Sequence, residues 1–175
     1  MKELMTSDGK LFRAAGVAAA GGGLLRLATA IPGVLRGHEA SERAYFTVDL
    51  LALISLFALF ASQERLRRGV GPWGFGVAVL GLILIRTGTR IGAFAIYEFA
   101  AAVLMVGSAL MDAAILRSGR LAAATGGAWI ASLVVGVAGA LTHIQGGFLV
   151  ASVLFSLGLG FAAAVLFTHN PRKST

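Results

Sequence analysis

The chain alternates long apolar runs with short polar breaks, and the length of those runs sets the expected fold. A helix needs roughly 20 mostly apolar residues to cross the hydrocarbon of a bilayer. Six runs meet or approach that length: 14–34, 45–61, 70–89, 91–116, 121–142 and 146–167. The third is the weakest, because "GPWGFGVAVLGLILI" ends after fifteen residues at Arg86. Its border with the fourth is the least defined. No polar domain, coiled coil or low-complexity linker separates the runs. The pattern predicts one polytopic domain over 1–175, an all-α integral membrane bundle of six transmembrane helices.

Composition points the same way. The chain is 57% hydrophobic and 13% charged, where soluble domains carry about 25% charged residues. Its net charge of +7 would suggest nucleic acid in a soluble protein. Here the charge sits in short loops, where it sets topology and meets anionic lipid, so no nucleic-acid partner is expected. Ten basic residues fall on one side: Lys2, Lys10, Arg13, Arg65, Arg67, Arg68, Arg117, Arg120, Arg172 and Lys173. The other side has Arg36, Arg43 and Arg90. The positive-inside rule then places both termini in the cytoplasm. The expected location is the cell membrane, multi-pass, of the bacterial inner-membrane kind. A signal peptide ending at "ATA" (28–30) is the competing reading, but Arg26 interrupts its apolar core.

The first run is unusual for its lack of bulk. In "AAGVAAAGGG" (14–23), nine of ten residues are Ala or Gly. Small residues at four-residue spacing let membrane helices approach closely. Ala14, Ala18 and Gly22 form one such line, and Ala15, Ala19 and Gly23 the next. The expectation is close packing inside the chain, or against a homo- or hetero-oligomeric partner through this helix. Shifted by 60 residues, Gly16–Val34 aligns with Gly76–Phe94 and pairs Arg26 with Arg86, which suggests an internal repeat of helical hairpins.

Ionisable side chains are costly in hydrocarbon, so each one inside a span is a candidate for function. At 1.5 Å of rise per residue, Arg26 lies about 12 Å inside the outer end of its run, Asp49 about 6 Å, Arg86 about 5 Å and Glu98 about 10 Å. Tyr45, Arg90, Tyr97 and His143 fall near the same face. The inner half holds Asp112 alone. Two readings follow for the outer set. Arg26 and Arg86 can pair with Asp49 and Glu98 to hold the bundle in register. Alternatively, an outward pocket built from Arg26, Asp49, Arg86, Arg90, Tyr97, Glu98 and His143 holds an anionic ligand, with Asp49 or Glu98 as proton carrier or general acid. His38, His143 and His169 share no helix at ligand spacing, and there is no cysteine, so neither a metal site nor a cofactor is expected. No phosphate loop, nucleophile elbow or dinucleotide fingerprint is present.

In layout, the six-span plan with its alanine-rich first helix is similar to the substrate-binding components of energy-coupling vitamin importers. The hairpin arrangement around "IGAFAIYEFAAAVLMVGSALMDAAILR" resembles small bacterial acid-stress membrane proteins. Neither resemblance carries a site residue. Three functions are open at this point. The first is binding or transport of a small anionic or amphiphilic ligand, membrane lipid included, through the outer polar pocket. The second is a non-catalytic subunit of a membrane complex that packs through the Ala/Gly stripe. The third is a membrane-embedded enzyme using an intramembrane carboxylate as general acid on a lipid or isoprenoid.

Overall fold

The structure is a computed structural model that describes residues 2–31, 38–87, 96–116, 119–142 and 145–168. The described residues are helical almost throughout and contain no strand: α1 (Lys2–Ala30), α2 (His38–Ser62), α3 (Gly71–Thr87), α4 (Ile96–Ile115), α5 (Arg120–Thr142) and α6 (Gln145–Thr168). Among the described residues, four segments are long and apolar enough to cross a membrane: Gly9–Ala30, Glu42–Ser62, Arg120–Gly139 and Leu149–Thr168. The apolar helices Gly71–Arg86 and Phe99–Ile115 are shorter. Side chains turned away from the bundle, such as Leu24, Trp73, Val134 and Leu141, are large and apolar. A surface of that kind suits hydrocarbon rather than water.

Two helices start well before the apolar runs that announced them. α1 begins at Lys2 rather than Ala14, and α2 at His38 rather than Tyr45. Hydropathy marks where lipid tolerates the chain, whereas helix formation also accepts Lys, Glu, Leu and Met, all good helix formers. The α2–α3 connection is a 3₁₀ turn, Glu64–Arg67, followed by Gly69 at φ +59°. That backbone conformation favours glycine. The turn closes when the Gly71 amide donates to the Arg68 carbonyl at 3.2 Å.

Packing runs α2–α1–α6–α5–α4–α3, while α2 touches α6 and α3 only sparsely. Membrane helices gain little hydrophobic drive from meeting each other, so close van der Waals approach has to hold them. Glycine supplies it. A side-chain carbon at Gly81 would run into the Leu104 backbone, one at Gly107 into the Ala78 backbone, and one at Gly74 would lie 2.6 Å from the Met111 amide nitrogen. α3 and α4 therefore meet backbone to backbone. On α5, the fully buried Trp129 lies over Gly158 of α6 and donates its indole N–H to the Phe155 carbonyl at 3.2 Å.

The small-residue stripe of α1 divides between two neighbours. Gly16 and Gly23 face the α6 backbone at Ala163 and Ser156, and Gly22 faces Leu51 of α2. Ala15 and Ala19 are buried, while Ala14 is exposed and Ala18 half-buried. The main core, around Leu56, Leu66, Met111, Ile115, Trp129 and Leu159, extends through Leu82 and Leu104 toward Arg26.

Candidate functional site

Arg26 is one turn before the end of α1, and Asp49 lies within α2. Arg86 is in the last turn of α3. Alternating helix directions bring these three positions to one end of the bundle. There the sparse α2–α3 contact leaves a gap.

Arg86 bridges the gap. Its Nε donates to Asp49 Oδ2 at 2.7 Å, and its Nη2 donates to the same oxygen. The pair is partly exposed, with 36% of the Arg86 and 21% of the Asp49 side chain accessible. The Arg86 guanidinium also lies over the Phe46 ring, 5.5 Å from its centroid, within range of a cation–π attraction. Asp49 is thus committed to Arg86.

Arg26 is held differently. It is half-buried, and its Nη2 donates to the Ser152 hydroxyl of α6 at 3.3 Å. Its guanidinium stands over the Tyr45 ring at 5.8 Å. Among the described residues no carboxylate comes within ion-pair distance of Arg26. It acts on Asp49 only across space.

Between these groups is a cavity of about 80 Å³. Its polar edge is Arg26, Tyr45, Asp49, Arg86 and Ser152, and its floor is apolar, formed by Val48, Ala52, Leu82, Leu104 and Phe155 among others. Two guanidiniums and one carboxylate leave a formal charge of +1 at the rim. Pockets for drug-sized ligands run to about 300–1,000 Å³. This one has room for a few waters or one small anionic group, not for a large molecule.

Of the residues expected from sequence, Arg26, Asp49 and Arg86 come together here, with Tyr45 beside them. Arg90 and His143 lie outside the described residues, as do the side chains of Tyr97 and Glu98 in the first turn of α4. Ser152 and Phe155 were not anticipated. Nothing in sequence separates Ser152 from Ser132 or Ser156, which hydrogen-bond to backbone carbonyls of α6. Arg26 and Arg86, paired by the 60-residue shift, approach the same cavity from different helices. Among the described residues no three His, Asp or Glu gather as metal ligands would. Asp112, a buried acid of α4, takes no part in this cavity.

No family model matches the chain, and no match was found among curated proteins or solved structures.

Proposed function

We propose that this is a small six-span protein of the cell membrane, with both termini cytoplasmic, that binds or passes a small anionic or amphiphilic ligand at the outer end of the bundle. Arg26 is the group that holds the anion. One observation carries the reading: Asp49 is neutralised by Arg86, while Arg26 faces a cavity with only a hydroxyl and an aromatic ring as described partners. A guanidinium so placed offers donors to a carboxylate or phosphate in a site of low dielectric, where a charge-assisted hydrogen bond is strong. The small volume and apolar floor favour a headgroup carried on a chain that lies along the loose α2–α3 seam.

The other two readings have less support. A subunit packing through the α1 stripe calls for an exposed small-residue face, yet Ala15, Ala19 and Gly23 are turned into the bundle. A general acid calls for an unpaired carboxylate at the cavity; of its two candidates, Asp49 is ion-paired and the Glu98 side chain lies outside the described residues.

The test uses purified protein in micelles with dodecyl phosphate, dodecanol and methyl phosphate as probes, read by thermal unfolding. Stabilisation by dodecyl phosphate but not dodecanol, lost in Arg26→Leu, is the expected result. Stabilisation by methyl phosphate as well would mark a free anion as the ligand; its absence would mark an amphiphile. Equal stabilisation by dodecanol, or an unchanged response in Arg26→Leu, overturns the reading.

A further inference from the structure

Asp112 lies two turns beyond the cavity on α4, about 10 Å along the axis from Met105. Its side chain is fully inaccessible, and among the described residues neither carboxyl oxygen finds a hydrogen-bond partner. The nearby hydroxyls are already engaged. Ser108, one turn back on α4, donates to the Leu104 carbonyl at 2.9 Å, and Thr125 of α5 donates to the Leu121 carbonyl at 3.0 Å. Both hydrogens are thereby turned away from the acid. α5 approaches through Gly126, where a side-chain carbon would lie 3.1 Å from the Asp112 Cβ. The contact is close.

Among the described residues no charged group pairs with the acid. On α5 the charged residue is Arg120, which is exposed at the helix start. On the 3₁₀ turn, Glu64, Arg65 and Arg67 are exposed, and Arg68 beyond it pairs with Glu64. On α3, Arg86 is at the far end, bound to Asp49. A carboxylate buried in such surroundings, with no ion partner among the described residues, is strongly disfavoured. A proton removes that charge without needing space.

We propose that Asp112 is a proton-binding site built into the α4–α5 contact, and that its proton sets how closely the two helices meet. With the proton in place the acid is neutral, and Gly126 can seat against it. Loss of the proton leaves a carboxylate that must draw in water or a cation, so the contact loosens. α4 also lines the cavity through Ala101, Leu104 and Met105, yet the proton site does not depend on what the cavity binds.

The chain makes a direct test possible, because Asp8, Asp49 and Asp112 are its only aspartates and Met-Asp occurs once, at 111–112. Protein in lipid nanodiscs is labelled with carbonyl-¹³C Met and uniformly ¹³C,¹⁵N-labelled Asp, which assigns Asp112 in the native chain without a variant. Solid-state NMR then reads the γ-carbon shift. The expected result is an acid-form signal for Asp112 at neutral pH. Raising the pH should move the Asp112 signal to the carboxylate form and speed hydrogen exchange in α4 and α5 together. A carboxylate signal for Asp112 at neutral pH, with or without dependence on added sodium, overturns the proposal. An exchange rate unchanged while the signal moves overturns the link to helix contact.

Discussion

The two sides of α3 are built by opposite rules. Toward α4, Gly74 and Gly81 let backbones touch, and Gly107 answers from the other helix. Toward α2 the contact is sparse. It rests on the Asp49–Arg86 pair at one end and on Phe75 against Phe57 and Phe60 further along, with ring centroids 4.8 and 4.4 Å apart. Where backbones touch there is no room for a ligand. Where two side-chain clusters hold helices apart, a cavity can persist in a membrane, because helices gain little by closing it.

That contrast can be broken from the tight side first. Gly107→Leu would press a branched side chain into the Ala78 backbone, and a loss of about 3 kcal/mol or more is expected, at the upper end for overpacking. Unfolding in mixed micelles would measure it, and a change under about 1 kcal/mol would mean the α3–α4 contact is not close. The Asp49–Arg86 pair should give a smaller effect of a particular kind. Asp49→Asn leaves Arg86 without its carboxylate, so stability should fall by about 1–2 kcal/mol, between the values for exposed and buried pairs. Dodecyl phosphate should bind more tightly to the same variant, because the rim loses its negative charge. Weaker binding would instead make the pair part of the grip. The aromatic cluster should matter least: Phe75→Leu is expected to cost about 1 kcal/mol in the same unfolding assay.

Much of the fold could be read from the order of apolar runs, since helix placement follows from bilayer chemistry. Helix starts could not. Lys2 to Arg13 are polar enough to lie outside lipid yet continue the helix, and no apolar signal marks such an end. The charged members of the cavity were legible because Arg26, Asp49 and Arg86 stand out against apolar neighbours. Which arginine takes Asp49 was not, because that depends on helix rotation, and one residue turns a side chain by about 100°. Ser152 was hidden for a related reason. A serine in a membrane helix ordinarily bonds its own backbone one turn back, as Ser55, Ser108 and Ser156 do here.

The role of Arg26 is open to one direct measurement. Solid-state NMR of nanodiscs holding ¹⁵N-arginine protein and dodecyl phosphate reads dipolar coupling between phosphorus and guanidinium nitrogen. Coupling present in the native protein, lost in Arg26→Leu and kept in Arg43→Leu, is the expected result. Coupling that survives in Arg26→Leu, or is absent from the native protein, would contradict an anion site at Arg26.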